Sequence, residues 1–183
     1  MKRMTVSANG IVLGLAALAL AAATPASAFT PPAPPTKAVD LPRYEGRWYE
    51  IARMPNGFEK GRECEAATAD YIPDAKGQIN VVQTCHRGAP DGPEKVYRAS
   101  ARILDPGTNA KFKLTFFLVL SKEYWVLDYA PDYHWAILAD TSGKFLWLFS
   151  KSPTLPAGER DTLVERIHAL GYDTGRLEFP AHK

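Results

Sequence analysis

The residues of this 183-residue chain best suited to bond-making chemistry are two cysteines, four histidines and a few carboxylates. Their spacing argues against most of that chemistry. Cys64 and Cys85 are too far apart in sequence for the short Cys-x-x-Cys arrangement that redox-active thiols favour. His86, His134, His168 and His182 are scattered without metal-ligand spacing, so neither a metal nor another cofactor is expected. Glu50 and Asp128 can both point inward from strands. They read as an acid–base pair or, more plainly, as members of a buried network with Tyr or Lys151.

The cysteines have a better explanation as a structural pair. Tyr71 to Gln78 carries a turn signal between two alternating runs. A hairpin centred between Asp74 and Ala75 sets Cys64 opposite Cys85, and facing Cβ atoms lie within roughly 5.5 Å, close to disulfide reach. Export would permit that bond. Lys2 and Arg3, the uncharged run Ile11 to Ala23 and Ala26-Ser27-Ala28 together read as a signal peptide over residues 1–28. The run is short for a bilayer span of about 20 residues, although a retained anchor is the alternative reading. Neither cysteine sits at the cleavage point, so the chain does not read as a lipoprotein, and the mature part is expected to be soluble. Taking Lys2 and Arg3 from the 22 basic residues leaves 20 against 20 acidic ones. No basic field remains, which gives nucleic-acid binding no electrostatic support.

Positioning elements follow from punctuation and alternation. Residues 29–42 hold five prolines and read as an extended, mobile leader that neither pairs in a sheet nor winds into a helix, leaving 43–183 as one barrel domain. Eight short runs follow: Trp48–Met54, Glu65–Tyr71, Gln78–Cys85, Lys95–Leu104, Lys111–Val119, Tyr124–Tyr129, Trp135–Asp140 and Phe145–Ser150. Short Gly and Pro turns between them predict an all-β antiparallel barrel or sandwich. Beyond Pro156, Leu163, Val164, Ile167 and Leu170 form a narrow apolar stripe ended by Gly171. This predicts a helix packed outside the barrel, with His168 solvated.

Period-2 alternation assigns an inward face to each run. Trp48, Glu50, Ala52 and Met54 come from the first, then Ala67, Ala69 and Tyr71, then Ile79, Val81 and Gln83. Tyr97, Ala99, Ala101 and Ile103 follow, then Leu114 and Phe116, then Tyr124 and Val126. Ala136 and Leu138, then Phe145, Trp147 and Phe149, complete the lining. The many alanines leave volume for a ligand in a barrel of this size. A one-residue slip in register would instead turn them outward.

Gly46-Arg47-Trp48-Tyr49-Glu50-Ile51-Ala52-Arg53 resembles the opening signature of the lipocalins. Tyr124 to Asp128, running through Asp132-Tyr133 to Ala136-Ile137-Leu138, resembles the second signature, and Leu146 to Pro153 the third. The likeness spans roughly Leu41 to Phe179 and is greatest to the bacterial, Blc-like lipocalins, which group with apolipoprotein D and the plant temperature-induced lipocalins. It implies an eight-stranded up-and-down barrel with one C-terminal helix outside. It also implies that Trp48, following Gly46, closes one end with a basic residue, here Lys151, stacked upon it. Lysine at that position keeps the charge but loses the planar fork of arginine.

Strand counting sets the first loop, the Cys64–Cys85 bridge and the loops at 87–94, 120–122 and 141–144 around the opposite end, the expected mouth. Phe58 is a candidate flap there, and Arg62, Arg87 and Lys122 are candidates to meet a lipid head group. The resemblance implies binding, storage or transport of a lipid-like ligand, a fatty acid or lysophospholipid, in service of membrane lipid upkeep. The wall expected to hold it comprises Ala52, Met54, Ala67, Ala69, Tyr71, Val81, Gln83, Tyr97, Ala99, Leu114, Phe116, Tyr124, Val126, Ala136, Leu138, Phe145 and Trp147. A lipocalin-fold enzyme of the isomerase kind would need a free thiol, so no enzymatic activity is expected. A filled barrel binding proteins through its loops is the third reading. A periplasmic or secreted monomer or homodimer, with peripheral membrane contact and outer-membrane association both compatible, completes these expectations.

Overall fold

Eight antiparallel strands close into a barrel in the computed structural model, which describes residues 29–57, 59, 63–75, 78–117, 120–156 and 158–183. They are β1 (Gly46–Arg53), β2 (Glu65–Pro73), β3 (Ile79–His86), β4 (Glu94–Ile103), β5 (Lys111–Phe116), β6 (Leu120–Tyr129), β7 (Trp135–Ala139) and β8 (Leu146–Ser150). Each pairs with its sequence neighbour, and β8 returns to β1. Of the barrel and the sandwich that alternation left open, the barrel is the one formed, with the up-and-down order that the lipocalin resemblance implies. The signal-peptide reading lies outside the described residues.

Three irregularities in register decide which side chains enter the barrel. Pairing of β1 with β8 shifts between Glu50 and Ala52. Glu50 therefore faces Phe149 on the inside, while Ala52 faces Leu148 on the outside. Ala52 and Met54 belong to the cluster beneath α2 (Glu159–Ala169), with Ile137, Leu146, Leu163 and Ile167. Strict alternation had put both in the interior. A second shift, between Val126 and Asp128 on β6, turns Asp128 outward to Lys37 and Arg166 at 3.4 and 3.1 Å. Glu50 and Asp128 thus do not form an acid–base pair, and Glu50 engages Arg53 at 2.8 Å rather than Tyr or Lys151.

The third shift, between Glu65 and Thr68, bears on the disulfide. Thr68 faces Thr84 and Pro73 faces Ile79, so the β2–β3 hairpin turns later than a centre between Asp74 and Ala75. Ala66 adopts the left-handed φ of 47° at the irregularity. Cys64 still bonds to Cys85, with Cα atoms 5.1 Å apart. The pairing stands although the register used to argue for it is displaced.

The C-terminal tail completes the wall. Regular β1–β2 pairing ends at Tyr49 and Thr68. Beyond it, Arg53 exchanges backbone hydrogen bonds with Glu178 at 3.0 and 2.9 Å, and Ala66 N–H donates to the Ala181 carbonyl at 2.7 Å. His182 reaches the Glu50 carbonyl at 2.8 Å. The tail bonds to both strands where they part, meeting donors and acceptors that would otherwise form exposed edges.

The segment 29–42 differs from the mobile leader its prolines suggest. Phe29 packs on Tyr172 with ring centroids 5.1 Å apart and lies over Gly143, whose φ of 72° and lack of a side chain admit the ring. Val39 is buried and its N–H donates to Thr108 at 2.7 Å. Asp40 then caps α1 (Leu41–Tyr44), with Pro42 in the first turn, where a missing N–H leaves no intrahelical bond unmade.

Candidate ligand-binding site

Tyr44, delivered by α1, fills the lower half of the barrel. Its ring lies 5.0 Å from Trp48, 5.1 Å from Tyr71 and 5.7 Å from Phe112. Ala69, Ala99, Ala101 and Ala136 share this cluster, and the width they leave is occupied by those rings. Burial pushes the Tyr71 hydroxyl up to about 12 and that of Tyr44 well above its ordinary value. The Trp48 indole donates to the Tyr44 carbonyl at 2.7 Å. Lys151 Nζ stands 4.0 Å over the Trp48 ring and donates to the carbonyls of Tyr44 and Glu45 at 3.3 and 2.6 Å. Burial draws the Lys151 ammonium down to about 8. Gly46, with φ of 87°, begins β1 beside that ammonium. This end is a floor.

Open space begins above it. A cavity of about 70 Å3 is lined by Gln83, Tyr97, Phe116, Tyr124, Phe145 and Trp147, together with Asn56, Glu59, Phe117, Leu120 and Lys122. A smaller recess of about 10 Å3 adjoins it through Glu59, Gln83 and Tyr97 and reaches Ala67, Ala69, Cys64 and Cys85. Trp147 stacks near Phe145 at 5.9 Å and meets Tyr124 edge-on at 5.2 Å. The cavity is small beside the hundreds of Å3 of a typical ligand pocket. Admission of a lipid chain therefore requires the mouth to widen.

The wall inferred from alternation divides by depth. Gln83, Tyr97, Phe116, Tyr124, Phe145 and Trp147 meet at the cavity, with Ala67 and Ala69 at the recess. Tyr71, Val81, Ala99, Leu114, Val126, Ala136 and Leu138 lie in the packed interior beneath. Ala52 and Met54 lie outside the barrel altogether. Phe58 and Arg62 are outside the described residues. Arg87 pairs with Glu63 at 3.3 Å, whereas Lys122 does border the cavity, 4.9 Å over the Phe145 ring.

Two polar residues of the first loop went unnoticed in the sequence. Glu59 Oε2 accepts from the Trp147 indole N–H at 3.1 Å and from Asn56 Nδ2 at 2.5 Å. No period marks a loop residue as inward, so alternation offered no signal for either. Just beneath, the Arg53 guanidinium is buried among Glu50 at 2.8 Å, the Cys64 carbonyl at 2.8 Å and Glu178 at 3.1 Å. Burial, and then the Glu59 charge, hold the Glu50 carboxyl well above the usual range. Both cysteines of the sequence are consumed in the disulfide, leaving no free thiol at the site.

Residues 39–182 match the family model for a lipocalin-like domain. The chain is a lipocalin. It is 31% identical over 146 residues to outer membrane lipoprotein Blc of Vibrio cholerae, covering 78% of this chain and 82% of that protein. Mouse apolipoprotein D is 30% identical over 156 residues, covering 80% and 79%. Temperature-induced lipocalin-1 of Arabidopsis thaliana is 30% identical over 149 residues, covering 77% and 78%. Among solved structures, insecticyanin from the tobacco hornworm Manduca sexta superposes with a TM-score of 0.68 at 20% identity, over 85% of this chain and 87% of that one. This lipocalin is of the Blc and apolipoprotein D kind, with a filled floor and a narrow, aromatic mouth.

Proposed function

We propose that this lipocalin binds and carries a small, largely apolar ligand, a fatty acid or lysophospholipid, in the mouth half of its barrel, without catalysing a reaction. The observation that carries this reading is the cavity walled by Phe116, Tyr124, Phe145 and Trp147, with Gln83, Tyr97, Asn56, Glu59 and Lys122 as its polar groups. An apolar enclosure with few convergent polar groups is suited to holding a tail and orienting a head. The disulfide takes up both cysteines and so leaves no thiol for an isomerase-type reaction.

An exported life, in the periplasm or outside the cell, is part of the same proposal. It is supported by the disulfide and by relatives named as outer membrane lipoproteins. Service to membrane lipids, with the mouth approaching a bilayer, is supported by Phe117, 71% exposed beside the cavity, and by exposed Leu120 on the same hairpin.

Organic extraction of the purified protein followed by mass spectrometry tests the carrier reading. A stoichiometric lipid, or saturable quenching of tryptophan fluorescence by added lipid with loss of the effect in Trp147→Phe, is the expected result. Absence of both would sink it.

A further inference from the structure

Among the described residues, Glu59 is the carboxylate that borders the aromatic cavity, and it also faces the recess, which Glu50 lines as well. Its partners among the described residues are neutral donors, the Trp147 indole and the Asn56 amide. Among the described residues the nearby cations have partners of their own, although Arg53 also feels the Glu59 charge. Arg53 is held by Glu50, Glu178 and the Cys64 carbonyl. Arg87 and Lys95 both turn to Glu63, at 3.3 and 3.2 Å. Lys122 lies over the outer ring of Phe145. Glu59 thus brings negative charge to a wall made of Tyr124, Phe145 and Trp147, whose ring faces also attract cations. Burial, then Asp140 and Glu59, push the Tyr124 hydroxyl upward, so that charge is felt across the cavity.

We infer that Glu59 sets head-group selectivity: the mouth favours an apolar ligand bearing an ammonium group, seated between Glu59 and the aromatic wall, over a free carboxylate. This rests on the carrier reading and narrows it. A fatty acid carboxylate at the same depth would meet Glu59 as a like charge in a partly desolvated site. An ammonium would replace the neutral donors now on Glu59 with a charge-assisted bond. The ammonium could come from a simple cationic amphiphile or from the ethanolamine of a lysophospholipid. Lys122, at the outer edge, would meet the phosphate in the second case only.

Calorimetric titration of the full chain with dodecylamine, dodecyltrimethylammonium, lysophosphatidylethanolamine and laurate, each as monomer, separates these cases. Wild type is expected to bind an ammonium ligand at least about tenfold more tightly than laurate. Glu59→Gln, which keeps the acceptor for Trp147 and Asn56, is expected to erase that preference by weakening the ammonium ligand and strengthening laurate. Lys122→Gln should weaken lysophosphatidylethanolamine alone if the zwitterion is the better fit, and leave dodecylamine unaffected. Laurate binding as tightly as the ammonium ligands, or an unchanged preference in Glu59→Gln, overturns the inference while leaving the carrier reading intact. No binding by any of the four, with no lipid recovered on extraction, overturns both.

Discussion

The two ends of the barrel use the same kinds of residue to opposite effect. At the floor, Tyr44, Trp48, Tyr71 and Phe112 pack on one another among the barrel's small side chains. At the mouth, Tyr124, Phe145 and Trp147 are also in mutual contact, yet they surround a cavity. Composition does not separate the two. The difference is a plug: α1 inserts Tyr44 from outside the strands, whereas at the mouth the described loop residues that reach the cavity are Asn56 and Glu59. Alanines in a strand pattern leave width, and an element beyond the strands decides whether that width is filled or kept.

Removing one tryptophan at each end should produce the largest contrast. Trp48 is fully buried and bonded to Tyr44, so Trp48→Ala is expected to cost about 3–5 kcal/mol in urea unfolding. Trp147 is nearly as buried, but one side of it faces empty space, so fewer packing contacts are lost. Trp147→Ala should therefore cost distinctly less while abolishing most ligand binding. Equal losses of stability would mean that the mouth is packed as tightly as the floor.

Next in size is the disulfide, which ties the mouth but not the floor. Cys64 and Cys85 are separated by 21 residues, a loop whose closure is worth about 3 kcal/mol in the unfolded chain. The Cys64→Ser/Cys85→Ser double variant should lose roughly that much. Its extra hydrogen exchange should concentrate in the first loop and the adjacent ends of β2 and β3, with the amides around Trp48 protected. Uniform loosening of both ends would show that the bridge supports the whole barrel and not its rim.

Most of this architecture was legible because it depends on period and punctuation, which are local. Eight alternating runs and their turns gave an antiparallel all-β fold, the lipocalin-like signatures selected the barrel over a sandwich, and Leu163 and Ile167 gave the outer helix. Three features were not legible, each for a physical reason. Bulges leave no mark in alternation, so Ala52 and Met54 read as inward although one extra residue at Ile51 turns them beneath α2. Prolines argue against regular structure but not against docking, so the packing of Phe29 and Val39 was hidden. Glu59 sits in a loop, where approach to the cavity depends on the path of the backbone and not on any spacing. The site was accordingly half visible: its strand-borne wall was readable and its loop-borne edge was not.

The smallest expected effect distinguishes the ends by their response to pH. His134, in the turn at the closed end, lies 2.5 Å by Nδ1 from Asp132 and 2.6 Å by Nε2 from Glu159 at the start of α2. Both ring nitrogens can donate at once only in the imidazolium. The Asp132 bond, and next the Glu159 bond, raise the folded-state value of His134 above its ordinary range. A raised histidine contributes stability that is fully present below its unfolded value of about 6.5 and is lost as pH climbs through the folded value. His134→Gln should therefore lower Tm most near pH 5.5, with the gap to wild type narrowing as pH rises above about 6.5. The side chain is 41% exposed, so solvent screening keeps the gap small. Because this link joins the closed-end turn to α2, ligand affinity at the mouth should be unchanged by the substitution at either pH. A Tm gap that stays constant with pH would remove His134 from the floor's electrostatics, and a pH-dependent change in ligand affinity would show that the two ends are coupled.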